Sequence, residues 1–138
     1  VAAQLDRAVC VLGFDTSVVL GDRVYGKPVD ESDAEAMLLS LAGRTHTVYT
    51  GYAFARGAEI VESGIDAARV TMRPVATAEA AAYAATGEPL DKAGAYALQG
   101  AGKGFVTDVE GLRSTVIGLP LEHIVDLLIR NGIMPTRP

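Results

Sequence analysis

The sequence predicts an α/β fold: a single domain with a mixed, twisted β-sheet flanked by helices. Three observations carry this prediction. The run Ala8–Leu12 is continuously apolar and rich in β-branched residues, which is typical of a strand covered on both faces. The stretches 45–55 and 60–75 have the composition and alternation of long strands. Apolar residues recur at helical spacing after Ser32 and again after Pro120.

Length and composition fit one soluble domain. The 138 residues can enclose a hydrophobic core, with 49% apolar and 21% charged residues. The net charge of −5 argues against a nucleic-acid partner, whereas a few local positive charges suffice for a small phosphate ligand. No stretch reaches the ~20 apolar residues that span a bilayer, and no signal peptide is visible. We therefore expect a cytoplasmic protein with no membrane partner.

The sequence has one cysteine, Cys10. It can form no intrachain disulfide and no thiol metal cluster, which suits a reducing compartment. Its apolar neighbours predict a buried thiol.

A β-hairpin is predicted early in the chain. The turn pair Gly21-Asp22 separates Ser17–Leu20 from Arg23–Tyr25, and such a pair favours a tight reversal between two strands.

The first helix is predicted to begin at Ser32. Ser32 and Glu35 have the spacing of an N-terminal capping box, and Gly43 marks the end. The predicted buried face comprises Ala34, Met37, Leu38 and Leu41. Two long strands then follow, joined through residues 56–58, and Thr77 is predicted to cap a short Ala-rich helix that ends at Gly87.

Glycines are densest in the region 87–104, where backbone that bends sharply or approaches a ligand closely is expected. Strands are predicted at Phe105–Val109 and near Thr115–Ile117. The last helix is predicted to run from Pro120 to Gly132. Its apolar face comprises Leu121, Ile124, Val125, Leu128 and Ile129.

Asp15 is predicted to lie where the first apolar strand stops. Ligands of open α/β sheets bind beyond the carboxyl ends of strands. A carboxylate there can accept a proton from water or hold a divalent metal ion. A turn or helix cap is the alternative interpretation of the same residue.

Two lysines lie in turn-like settings. Lys27 is flanked by glycine and proline, which could aim its ammonium group at a phosphate. Lys92 follows Glu88 and Asp91 at the glycine-rich region. Gln99 carries an amide that can both donate and accept, as reading a pyrimidine base edge requires. Surface lysines, a solvated loop with an ion pair, and an ordinary exposed glutamine are the alternatives.

His46 and His123 have no Cys or His partner at metal-ligand spacing, so hydrogen-bonded structural roles are the preferred interpretation, with His123 facing solvent. No G-x-x-x-x-G-K-[ST] loop and no G-x-S-x-G motif occurs. Walker-type phosphate binding and serine-hydrolase chemistry therefore have no support.

Four segments, taken in order, resemble the Maf family of nucleoside triphosphate pyrophosphatases: GFDTSVVL…GKP, AGRTHTVYTG, ATGEPLDKAGAYALQG and EGLRSTVIGLPL. The likeness runs from Val9 to the end of the last helix. It implies the α/β fold shared by Maf and inosine-triphosphatase-like proteins, with a nucleotide in a deep cleft. It also implies hydrolysis to the monophosphate and pyrophosphate with a divalent metal cation, Mg²⁺ or Mn²⁺.

The resemblance implies roles for individual residues. Asp15 matches the family's catalytic aspartate, which takes the proton of the attacking water and would hold the metal ion. Lys27 and Lys92 match the lysines that bind the phosphates. Glu88 and Asp91, beside Lys92, are expected to contribute to substrate binding.

Substrate choice is implied by two further positions. Thr16 and Gln99 match positions associated with base selection, and this pair resembles the branch that acts on dTTP and UTP, with modified pyrimidine nucleotides as further substrates. A 7-methyl-GTP pyrophosphatase and a non-catalytic, nucleotide-binding regulator of septum formation remain alternatives. The family commonly forms homodimers, so a homodimer is expected.

The sequence also departs from the family pattern. Phe14, Ser17 and Thr115 replace residues that are more common at their positions. The S-x-S-P-R-R-type phosphate loop is not found, and the sequence begins with VAAQL rather than methionine. We therefore expect residues 1–138 to form one Maf-like domain that lacks the family's N-terminal strand, phosphate loop and first helix.

Overall fold

The structure is a computed structural model that describes residues 9–133. Its strands are β1 (Cys10–Leu20), β2 (Arg23–Tyr25), β3 (Thr45–Arg56), β4 (Glu59–Met72) and β5 (Val106–Glu110). Its α-helices are α1 (Glu31–Leu41), α2 (Thr77–Ala84), α3 (Arg113–Ile117) and α4 (Leu121–Arg130). Short 3₁₀ segments lie at Glu88–Asp91, Ala93–Ala95 and Ala101–Phe105.

The strands form one sheet in the order β2-β1-β3-β4-β5. The predicted α/β class, with a sheet flanked by helices, is confirmed. The prediction of mixed pairing is not: every strand pair between residues 9 and 133 is antiparallel. The reason lies in the connections, because the Gly21-Asp22 turn and the short turn after Arg56 each return the chain beside the strand it has just left.

β1 extends well beyond the apolar run that predicted it. It begins at Cys10 and continues to Leu20, while Ala8 lies outside the described residues. Asp15 therefore lies in the middle of a strand, and its predicted place at a strand end is wrong. Cys10 is exposed, so the predicted buried thiol is also wrong. An apolar neighbourhood in sequence does not cover the first residue of a strand.

The helices α1, α2 and α4 confirm their predicted positions, but the predicted caps of α1 and α2 are wrong. In α1 the backbone N–H of Asp33 donates to the Asp30 carboxylate at 2.8 Å, so Asp30 rather than Ser32 is the N-cap. α2 begins at Thr77, but the cap position is Ala76, without a side-chain hydrogen bond. The buried face of α1 is the predicted one: Ala34, Met37, Leu38 and Leu41.

Residues 113–117 form the helix α3, so the predicted strand at Thr115–Ile117 is wrong. Thr115 is fully buried, and its side chain and carbonyl both have partners on the sheet. Tertiary contacts of this kind override the β propensity of a β-branched run. Gly118, with φ of 107°, ends the helix in a conformation that favours glycine.

The hydrophobic core lies between one face of the sheet and the helices α1 and α2. Its largest fully buried members include Val18, Leu38, Leu41, Val48, Val70 and Met72. The other face, here called the open face, carries exposed side chains such as Tyr49 and Ile65. None of the helices in residues 9–133 is long and apolar enough to cross a bilayer.

Candidate active site

A cleft of about 290 Å³ opens beside β1. Its walls come from β1 and β3, the loop after β2, the 3₁₀ segments around Lys92, and the end of α3. Five of the seven predicted site residues line it: Asp15, Thr16, Lys27, Asp91 and Lys92. The structure thus gathers residues that are up to 77 positions apart in the sequence (15 to 92).

The two lysine loops are fastened to each other. The backbone N–H of Gly94 donates to the carbonyl of Gly26 at 3.1 Å, which joins the segment after Lys92 to the segment before Lys27. Gly94 has a φ of 73°, and a β-carbon on it would lie 2.9 Å from Cγ2 of Val18. Only glycine allows this close approach to β1, and the approach brings Lys92 to the cleft.

Lys92 already has an anionic partner. Its Nζ lies 3.1 Å from Oδ1 of Asp91. The hydrogen bond and charge of Lys92 lower the pKa of Asp91, and the more distant charge of Lys27 acts in the same direction. Both side chains are substantially exposed, so a phosphate group can compete with Asp91 for the ammonium group.

Asp15 lies exposed in the middle of β1. Side chains alternate along a strand, so Asp15 belongs to the open face while Thr16 belongs to the helix-covered face. Asp15 lines both the cleft and a shallow apolar depression of about 610 Å³ on the open face, shared with Gly51 and Ile65. Asp15 is exposed, so its carboxylate is accessible to water.

Thr16 is held by a row of polar residues across the sheet. Oγ1 of Thr16 lies 2.9 Å from Oγ1 of Thr50, and Thr50 donates to the carbonyl of Thr115 at 2.8 Å. The Thr115 hydroxyl in turn donates to the carboxylate of Asp66. Val116, Ile117 and Gly118, next to Thr115, line the cleft. Sequence reasoning missed the part of the cleft wall at residues 116–118. It also missed Thr50 and Asp66, which hold Thr115 beside that wall, because no local pattern marks residues that meet only in the folded chain.

Gln99 lies next to the cleft rather than in it. It is exposed and lines a smaller cavity of about 40 Å³, which shares Lys92, Tyr96, Val116 and Ile117 with the cleft. The structure thus places Gln99 in a cavity that adjoins the cleft and shares part of its wall.

Glu88 does not line the cleft. Its carboxylate accepts hydrogen bonds from the backbone N–H groups of Ala101 at 3.0 Å and Gly102 at 3.2 Å. The pKa of Glu88 is lowered, chiefly because the Tyr83 hydroxyl donates a hydrogen bond to its carboxylate. The two backbone N–H groups and the charge of Lys92 act in the same direction, while desolvation raises the pKa by a smaller amount. Glu88 therefore organises the loop that carries Gln99, and its contact with substrate stays a prediction.

Both histidines have hydrogen-bonded structural roles, as predicted. His46 is buried, with Nε2 2.8 Å from the hydroxyl of Tyr96, and burial lowers its pKa from 6.5 to about 4. Tyr96 lines the cleft, so the buried His46 supports one of its walls. His123 is exposed on α4, with Nε2 3.2 Å from Asp66.

The carboxylates of the cleft fit a Mg²⁺ ion only when oxygen atoms of a bound ligand complete its coordination. Among residues 9–133 no group of three His, Cys, Asp or Glu side chains is placed to hold a metal ion. Mg²⁺ is usually held by one or two carboxylates together with substrate phosphates. Asp15, exposed at the cleft edge, fits that donor set.

The fold and the cleft define an α/β protein that gathers two lysines and two aspartates along one cleft. The chain belongs to the Maf family: the family model described as "Maf-like protein" matches residues 1–131.

Curated relatives agree with this assignment. A protein of Myxococcus xanthus is 50% identical over 133 residues, which cover 96% of this chain and 67% of the relative. One of Desulfitobacterium hafniense is 50% identical over 122 residues, covering 88% and 55%. One of Xanthomonas euvesicatoria is 47% identical over 127 residues, covering 92% and 67%. Each is named dTTP/UTP pyrophosphatase. The chain spans between about half and two thirds of the length of these relatives.

Proposed function

We propose that this chain hydrolyses dTTP and UTP to the nucleoside monophosphate and pyrophosphate. One observation carries the proposal: a single cleft gathers Asp15, Lys27 and Lys92 in a chain about half identical to relatives of that name. Modified pyrimidine nucleotides are proposed as further substrates because they present the same triphosphate and a similar base edge.

The proposed reaction is attack of water on the α-phosphorus. The new bond joins the water oxygen to phosphorus, the bond to the bridging oxygen of pyrophosphate breaks, and the water proton passes to the Asp15 carboxylate. The exposed position of Asp15 at the cleft edge supports this role, since the carboxylate and water can meet there. Lys27 and Lys92 offset the charge of the triphosphate and of the departing pyrophosphate.

A divalent cation, Mg²⁺ or Mn²⁺, is proposed as cofactor, with Asp15 as its protein ligand beside phosphate oxygens. It would supply further neutralisation of phosphate charge. Asp91 serves a different purpose: its ion pair keeps Lys92 at the cleft until phosphate replaces the carboxylate.

Base selection is proposed for Thr16 and Gln99. Thr16 lines the cleft, and Gln99 lies in the cavity beyond Ile117. A hydroxyl and an amide in neighbouring cavities can each hydrogen-bond a polar edge of a pyrimidine.

The test is pyrophosphate release from dTTP, UTP, CTP, GTP and 7-methyl-GTP in the presence of Mg²⁺ or Mn²⁺. We expect release confined to dTTP and UTP. Asp15→Asn should lower the rate by about 10²–10⁴-fold. Asp22→Asn, in the turn after β1 and outside the cleft lining, is the matched control and should leave the rate unchanged. A rate unaltered by Asp15→Asn would refute the assigned base.

A cytoplasmic homodimer is proposed as the working state, with the nucleotide as the small-molecule partner. Exposed apolar side chains on the open face, such as Ile65 at 74% exposure, support an association surface. Sedimentation velocity measures the stoichiometry directly, and a monomer at micromolar concentration would contradict the dimer.

A further inference from the structure

A buried threonine lies between the cleft and the main chain of α3. Thr50 is fully buried, with Oγ1 2.9 Å from Oγ1 of Thr16 and 2.8 Å from the carbonyl oxygen of Thr115. Thr16 and Thr50 are direct partners in the pairing of β1 with β3. Both distances are in the range of O–H···O hydrogen bonds, so each contact needs one proton between its two oxygens.

Only one assignment supplies both protons. The Thr115 carbonyl has none, so the proton of that contact is the single hydroxyl proton of Thr50. The proton between Thr16 and Thr50 must then come from Thr16. The opposite assignment would place two oxygens 2.8 Å apart with no proton between them.

The Thr16 hydroxyl is consequently left with acceptor lone pairs alone for any further partner. Thr16 lines the cleft, and Gly118 leaves space over its oxygen: a β-carbon at Gly118 would lie 3.1 Å from Oγ1. A ligand group that meets this oxygen must therefore be a donor.

We propose that Thr50 is a positioning residue that fixes Thr16 as an acceptor, so that the cleft recognises the imide N3–H of uracil and thymine. The proposal rests on the proposed function. Cytosine has an unprotonated N3 at the same place, and two acceptors facing each other leave both unsatisfied. The cost of such a mismatch corresponds to about 10- to 100-fold weaker binding.

The experiment compares UTP, CTP and 3-methyluridine triphosphate, which lacks the N3–H, by equilibrium binding and by kcat/KM. Wild-type protein should prefer UTP over each of the other two by about 10- to 100-fold. Thr50→Val keeps the side-chain shape and removes the proton, so Thr16 becomes free to donate as well as accept. The UTP/CTP ratio should then fall to within about threefold, because the mismatch energy is relieved by rotation of one hydroxyl.

Two variants separate positioning from a general structural effect. Thr50→Ser retains the proton and should restore the ratio. Thr45→Val removes a similar hydroxyl pair on the same strand, Thr45 with Thr71 at 2.8 Å outside the cleft lining, and should leave the ratio unchanged. A structural defect alone would weaken the binding of all three nucleotides by the same factor and leave the UTP/CTP ratio unchanged. The Thr115 carbonyl also accepts from the N–H of Gly118, so Thr50→Val does not orphan it.

Equal use of UTP and 3-methyluridine triphosphate by the wild-type protein would overturn the inference and leave the proposed function standing; that comparison needs no variant to fold. A UTP/CTP ratio unchanged in folded Thr50→Val would also overturn it. Wild-type protein that neither binds nor hydrolyses UTP would overturn the proposed function and the inference together.

Discussion

The carboxylate of Glu88 occupies the space that a β-carbon on Gly100 would need: the two would lie 1.9 Å apart. The same carboxylate holds the N–H groups of Ala101 and Gly102. Gly100 is thus the residue that lets Glu88 reach the loop beyond Gln99.

Gly100→Ala should destabilise the fold by about 1–3 kcal/mol, because the added methyl group displaces the Glu88 carboxylate and its hydrogen bonds. Urea unfolding measures the change. Gly104→Ala is the matched control in the same loop, since a β-carbon there would meet nothing within 4 Å and the backbone is not left-handed. An equal loss of unfolding free energy in the two variants would show that the Glu88 contact does not contribute to stability.

Gly94→Ala should cost more stability than Gly87→Ala. Both glycines are left-handed, with φ of 73° and 78°, so both variants share the penalty of about 1–2 kcal/mol for an L-residue there. Only Gly94 also faces Val18, at 2.9 Å from its Cγ2. In a double-mutant cycle, Val18→Ala should reduce the excess cost, because it removes both methyl groups and leaves only the Val18 Cβ at 3.2 Å. An excess that Val18→Ala does not reduce would place the clash elsewhere.

Lys92→Met and Lys27→Met should each weaken UTP binding by about 10- to 100-fold, because a charge-assisted hydrogen bond to phosphate is lost while the apolar stem is kept. Binding isotherms at two salt concentrations check this, and the wild-type affinity should fall more steeply with salt. Lys103→Met, exposed and outside the cleft lining, is the control and should bind UTP as the wild type does. Lysine variants that bind normally would exclude these ammonium groups from the phosphate site.

Acid should destabilise the protein through His46. Burial lowers its pKa from 6.5 to about 4, and its Nδ1 has no hydrogen-bond partner among the described residues. The unfolded histidine therefore takes up a proton first as the pH falls. The stabilisation of the folded protein by neutral, buried His46 is fully present above pH 6.5. It decreases as the pH falls toward 4, and the total loss in the free energy of unfolding is about 3 kcal/mol.

The free energy of unfolding from pH 7.5 to pH 4 measures this loss. His46→Gln cannot titrate but can still hydrogen-bond the Tyr96 hydroxyl, so its stability should fall less over the same range. Carboxylates titrate in both proteins and cancel in the comparison. Parallel pH profiles would contradict the role of His46.

Local signals predicted the elements well. The Gly21-Asp22 hairpin, the buried face of α1 and the turn after Arg56 were all visible, because turn residues and apolar spacing act within a few residues. The helix α3 was not, because Thr115 is fixed by partners 49 and 65 residues away. Propensity carries no information about such contacts.

The candidate site was predicted in part for the same reason. Lys27 and Lys92 lie in turn segments that the sequence predicts from their glycines and prolines. Both lysines line the cleft. The role of Glu88 could not be foreseen, since its partners lie 13 and 14 residues further along the chain. Thr50 carries no signal at all: a threonine within a strand pattern is unremarkable until its two oxygen partners are in place.

The row from Thr16 to Asp66 has a consequence for how the protein folds. β3 and β4 are joined by a short turn and can pair early, whereas Thr16 meets Thr50 across 34 residues and Thr50 meets Thr115 across 65. The two lysine loops meet across an even longer separation, from Gly26 to Gly94. The paired lysines and the oriented Thr16 hydroxyl therefore both depend on contacts between distant parts of the chain. We expect phosphate binding and base selectivity to appear together, once these long-range contacts have formed.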